Sequence, residues 1–183
     1  SILRNYQTTS RFLHSDHNIQ IAGSWEQIRR ISAWLDEIYQ VPVGRETVEA
    51  IFDSSNSLRL LHSPAALIAS GRTSASISTN LTNGHGMDVD IYFDARIPDS
   101  GSHRVFNRHR QPIEFNALHN LFHELVHARH LSNGTWRYYD SEAQAIEEEN
   151  IFRRQLAQAR GETDVALRVG QRGTQVWSPA KAH

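Results

Sequence analysis

The sequence contains no cysteine. Disulfides and thiolate chemistry are excluded, and any zinc must be held by histidine and carboxylate. It also lacks an excess of either charge: 19 Lys and Arg against 20 Asp and Glu leave a formal net charge of −1. Nothing in that balance points to nucleic acid or to an anionic membrane as a partner. No apolar run approaches the length of a transmembrane helix, so no membrane span is expected. No signal peptide is visible, but the chain opens on Ser1 rather than methionine, so that absence says little about a leader.

What is present is ordinary globular composition, 39% hydrophobic and 21% charged over 183 residues, enough for one domain (1–183) with a sizeable core. The informative stretch is HNLFHELVHARH, residues 119–130. It contains His-Glu-x-x-His as His123, Glu124 and His127. Residues four apart on a helix lie one above the other, so both imidazoles can reach a single ion. Glu124 falls beside them, near a remaining coordination position. Such geometry suits a zinc hydrolase, with a carboxylate placed to take a proton from water. At about 100° per residue, Leu118, Leu121, Phe122, Leu125 and Val126 form an apolar stripe. His119, Asn120, His123, Glu124 and His127 fall on the opposite side, which would line a cleft.

Elsewhere the chain reads as scaffold. Ser24 and Gln27 have capping-box spacing, and Ile28, Ile31, Leu35 and Ile38 mark a helix over 24–39, ended by Pro42. Trp25 and Trp34 add bulk to it. A shorter helix is expected over 45–52, with Val48, Ile51 and Phe52 facing inward. Strands are expected at 18–22, 58–61, 66–69 and 74–81. Residues 87–94 alternate cleanly: Met87, Val89, Ile91 and Phe93 on one side, Asp88, Asp90, Tyr92 and Asp94 on the other. With a turn at 83–86, this predicts a hairpin of 74–81 with 87–94, whose free edge could take an extended substrate by strand addition. The three aspartates fit a wet strand face better than a calcium site. Residues 98–110 form a polar, basic loop. Gln111-Pro112 would start the metal helix and Asn133-Gly134 end it. The tail from 162 reads as loop, with a short strand near 174–177.

A catalytic zinc site needs a third protein ligand. A new helix begins at Asp140 or Ser141, and Ser141 with Gln144 has capping-box spacing. Glu142 is favoured: it opens this helix nearest His127, and Ala143 and Ala145 permit close approach. Glu147, Glu149 and Asp140 stay open as alternatives, and Glu148 lies in the same run. Glu142, Ile146, Glu149 and Arg153 share a face, so the Glu149–Arg153 pair could buttress the metal from behind. Donors for a developing oxyanion could be Tyr138, Tyr139, Arg153 or His119, although His119 fits better as a cleft-edge residue bonded to backbone.

His-Glu-x-x-His followed by a helix bearing Glu-x-x-Ala (Glu142 to Ala145) is similar to the gluzincin metalloproteases, which implies Glu142 as third ligand. Many gluzincins place an aspartate four residues after that ligand, where this chain has Ile146. The local run resembles the NleD-type effector proteases over residues 118–161, through His123 to Ala128, Gly134, Glu142 to Ala145, Glu149-Asn150, Arg153 and Arg160-Gly161. That resemblance implies a zinc protease secreted by a bacterial type III system into host cytoplasm, acting on host signalling proteins of the stress-activated MAP kinase class. The expected fold is α+β: a small antiparallel sheet on the metal helix, with the Glu helix behind the cleft. The expected activity is zinc-dependent endopeptidase, and the expected working unit is a monomer. Two other readings remain: a non-catalytic module that docks a host protein, and an interbacterial metallopeptidase toxin domain.

Overall fold

A computed structural model describes residues 7–10, 13–64 and 71–169. The expected strands at 66–69 and 174–177 lie outside them. Its centre is a six-stranded sheet in the order β1-β2-β3-β4-β6-β5. The strands are β1 (Gln7–Ser10), β2 (Leu13–Asp16), β3 (Ile19–Ala22), β4 (Leu58–His62), β5 (Gly71–Ala75) and β6 (Val89–Phe93). The sheet is mixed, not antiparallel as expected from the hairpin pattern. β3 runs parallel to β4, and β4 parallel to β6. A parallel pair needs a crossover, and α1 (Trp25–Gln40) with α2 (Pro42–Phe52) supplies it between β3 and β4.

Alternation decides which face is covered. Ile19, Ile21, Leu58, Leu60, Val89, Ile91 and Phe93 are all essentially inaccessible. They join Ile28, Ile31, Leu35 and Ile38 of α1 in the main core. Each such side chain contributes roughly 1.5–3 kcal/mol of burial. The opposite face stays wetter, and there Arg59 makes a two-pronged ion pair with Asp90. Asp94 pairs with Arg96 and Asp88 accepts from the Ser57 amide. The three aspartates thus answer to neighbouring donors rather than to one another.

α1 starts with the expected capping box: Ser24 Oγ accepts from the Gln27 amide, and Gln27 Oε1 accepts from that of Ser24. Trp34 is buried, but Trp25 is largely exposed. α2 begins at Pro42, three residues before the expected start, because proline at the first helical position gives up no hydrogen bond.

Three expectations fail between residues 74 and 116. The β signal at 74–81 belongs to β5, which ends at Ala75; Ile77 is 90% exposed, and Thr79–Leu81 form a 3₁₀ turn capped by Ser78 Oγ. β6 is not a free edge, because β4 and β5 flank it; the edge strand is β5. Residues 112–114 do not start the metal helix. Pro112–Glu114 is a strand, β8, paired with β7 (Arg104–Phe106), and it buries Val105, Ile113 and Phe115 in a small separate cluster.

The metal helix, α3, is Ala117–Asn133, and α4 is Ser141–Ala159. α3 packs on β5 and β6 and against α1, α2 and α4. Asn116 caps its start by accepting from the His119 amide. Gly134 ends it at φ +70°, as expected from Asn133-Gly134. Residues 83–86, expected to be the hairpin turn, instead lie with Met87 over that end. The Met87 amide donates to Leu131 O, and Ser54 and Asn56 donate to Ser132 O. The last-turn carbonyls of α3 are thereby satisfied. A side chain at residue 134 would both strain a left-handed backbone and lie 2.5 Å from the Gly84 nitrogen. Gly134→Ala is therefore expected to destabilise the fold by more than about 1 kcal/mol in urea unfolding.

Candidate metal centre

α3 is buried on nearly every side, and its polar face is buried with the rest. His123, Glu124 and His127 are each under 10% exposed. The stripe Leu121, Phe122, Leu125 and Val126 is fully covered, so the register of α3 is fixed by core packing. α4 crosses α3 with Ala145 buried at the contact and Phe152 stacked on Phe122 at 4.4 Å. This docking brings the start of α4 to the two histidines. Glu142 Oε1 lies 2.7 Å from His123 Nε2, and Glu142 Oε2 lies 3.2 Å from His127 Nε2.

One ligand atom from each of His123, His127 and Glu142 lies within 4.8 Å of the other two, and the set could hold a metal ion. Two imidazoles and a carboxylate, with one side open to a cleft, match the donor set of an open tetrahedral site. The other candidates are elsewhere. Glu147 is exposed, Glu148 pairs with His130 at 2.8 Å, and Asp140 pairs with Arg137 at 3.2 Å. Asp140 is the N-cap residue of α4 but its side chain makes no capping bond, and the expected Ser141–Gln144 box does not form.

Glu149 is fully buried and sits behind His123. Its Oε1 lies 2.9 Å from His123 Nδ1, and Oε2 accepts from Arg153 Nε at 2.8 Å. Arg168 Nη1 also donates to Oε1, at 2.9 Å. A proton on Nδ1, directed to Glu149, leaves the Nε2 lone pair facing Glu142 and the cleft. Ile146, four residues after Glu142, offers no such carboxylate, and Glu149 supplies the one behind His123. Burial disfavours charge on His123, but its hydrogen bonds to the Glu142 and Glu149 carboxylates outweigh it and push the imidazole up to about 10 in the metal-free protein. Burial would raise both carboxyls, yet His123 and His127 hold Glu142 well below the usual range, and Arg153 and His123 do the same for Glu149.

Glu124 projects into a cleft of about 320 Å³ that also contains His123, His127 and Glu142. The Thr73 hydroxyl of β5 lies 2.9 Å from Glu124 Oε1 and fixes the carboxylate beneath the edge strand. Gly71 permits this approach: a Cβ there would meet Glu124 Cγ at 2.8 Å and Phe93 Cδ2 at 2.9 Å. Trp136 packs edge-on to His127 at 5.5 Å.

None of the four side chains considered as oxyanion donors lines this cleft. Tyr138 and Tyr139 are exposed. Arg153 is committed to Glu149 and to Glu114 O. His119 completes the α3 capping box by accepting from the Asn116 amide, as its bonded-to-backbone reading implies, and burial lowers its basicity strongly. The cationic side chain that reaches the cleft beside Glu142 is Arg168, Nη2 at 4.0 Å, from a tail read as loop. No local pattern marks it: Asn150 grips its backbone at both N–H and C=O, a contact across 18 residues. Thr73 and Gly71 also escape the sequence pattern, because β5 starts at Gly71, three residues before the alternation that begins at 74.

No protein-family model matches the chain, and no curated protein sequence matches it. Solved structures do. The light chain of botulinum neurotoxin serotype HA superposes with a TM-score of 0.50 at 13% identity, over 86% of this chain and 64% of that one. The type G light chain gives 0.48 at 11%, over 83% and 60%. The chain therefore spans less than two thirds of these proteins' length. The likeness to the serotype HA light chain is one of fold.

The sign of the His123 shift fixes a pH dependence for the metal-free protein. A group raised from 6.5 to about 10 contributes stability in full below the lower value and loses it as pH rises through the upper one. Chelator-treated protein should therefore lose thermal stability steadily between those two pH values. Protein loaded with zinc, whose His123 holds no proton on Nε2, should show a flatter profile over the same range.

Proposed function

We propose that this protein is a zinc-dependent endopeptidase. The observation that carries this reading is the convergence of His123, His127 and Glu142 at the wall of a cleft that Glu124 also enters, held by Thr73. A zinc ion bound by the three side chains would supply Lewis acidity, lowering the pKa of water toward 7 and polarising a carbonyl.

The chain's own residues supply the rest. Glu124 accepts a proton from the attacking water and passes it to the departing amine. Thr73 orients that carboxylate, and Gly71 keeps β5 close above it. The free edge of β5 offers backbone groups to an extended peptide, which would lie along the cleft by strand addition. Glu149 sets the His123 tautomer. The substrate reading follows the NleD-type resemblance: a host signalling protein, met after type III secretion into host cytoplasm, with MAP kinases the class to try first.

Glu124→Gln keeps the ligand set and removes the base. It should retain stoichiometric zinc while peptide cleavage falls by at least 10²–10⁴-fold, roughly the contribution of a general base. The measurement is metal analysis of the purified proteins together with mass-spectrometric detection of new termini in host-cell lysate. Equal cleavage by parent and variant would refute the mechanism.

Glu149→Gln keeps the shape behind His123 but removes the anion. Zinc affinity, read by chelator competition, should weaken by about 10–100-fold. An unchanged affinity would show that Glu149 serves only the fold.

A further inference from the structure

Asn120 lies one turn before His123 and Glu124 on α3 and lines the same cleft. It is 2% exposed, and its Nδ2 has no hydrogen-bond partner among the described residues. An orphaned buried amide of this kind costs a fold stability and calls for a reason. Apolar residues hold the core positions around it on α3, and any of them would fill the site more favourably.

The missing partner has a definite chemistry. Another buried donor without a partner belongs to a cleft residue, Arg168 Nε. Two donors thus wait at one cleft for acceptors. The balance of charge points the same way. Behind the cleft, Arg153 and Arg168 both bear on a single fully buried carboxylate, Glu149. Glu142 is the next acid, 4.0 Å from Arg168, and it belongs to the ligand set. Glu124, the other acid of the lining, has Oε1 engaged by Thr73.

We infer that Asn120 is a specificity-determining residue, and that the floor it forms with Arg168 receives an acidic side chain of the substrate, an Asp or Glu close to the bond to be cut. The inference deepens the endopeptidase reading and rests on it for the word substrate. The carboxylate accepts from Asn120 Nδ2 and answers the surplus guanidinium charge of the Arg153–Arg168 pair.

The test does not need turnover. Four fluorescent peptide libraries carry Glu, Gln, Lys or Leu at one fixed central position and random residues elsewhere. Their binding is measured on zinc-loaded full-length Glu124→Gln protein. The Glu library should bind tightest, by about tenfold over Gln. Adding Asn120→Asp should abolish that preference or turn it toward Lys. Equal binding of all four libraries, or a Glu preference that survives Asn120→Asp, overturns the inference. A second measurement covers a purely structural role. Asn120→Leu should raise the melting temperature, because it removes an unsatisfied buried amide. A fall would mean that Asn120 is held by a structural water only, which also overturns it. Should lysate cleavage fail to depend on Glu124, the endopeptidase reading falls. The library comparison still decides whether the floor selects an acidic side chain.

Discussion

One buried carboxylate, Glu149, ties the molecule together at its most consequential point. It meets His123 from α3, Arg153 from its own helix, and Arg168 from the segment beyond α4. A lone buried anion would be prohibitively costly, and these three partners are what make it tolerable. The same contacts fix where α4 lies on α3, and so where Glu142 stands relative to the two imidazoles. Arg153 extends the tie to β8 through Glu114 O, and both guanidiniums lie over the Phe115 ring. The metal centre is therefore the visible part of a larger charged core.

Around that core the fold separates two duties. α3 and α4 bring the ligand atoms together, and the sheet brings the edge strand. Glu124 joins the two: it belongs to α3, but its carboxylate is held by Thr73 of β5. Gly71 matters for the same reason, since any side chain there would push the strand away from Glu124. Backbone edge, base and ligand set are thus held in mutual register by close contacts, without a long loop between them.

The sequence was most legible where one physical rule acted alone. The i,i+4 spacing of His123 and His127, the Ser24–Gln27 box and the alternation at 89–93 all rest on local periodicity, and the structure shows each. The approach of Glu142 to those histidines was partly legible: two small residues and a short connector favoured it, while Glu147, Glu149 and Asp140 stayed open. Failures came where tertiary contacts decided. Residues 74–81 alternate, yet the hydrogen bonds of β6 pair with 71–75. Gln111-Pro112 has the composition of a helix start, yet it pairs in a small hairpin under Arg153. Arg168 and Thr73 carry no motif, since what makes them matter is their distance from Glu149 and Glu124 in space.

The bond joining His127 to Glu142 spans 15 residues, whereas the bond joining Thr73 to Glu124 spans 51. Closing the shorter loop costs less chain entropy by about 1 kcal/mol. Loop closure alone therefore favours the approach of α4 to α3 over the contact that aligns Glu124. If the proposed function holds, ion capture and the alignment of Glu124 are separable, and a partly folded molecule that binds the ion would still be inert toward its neighbours.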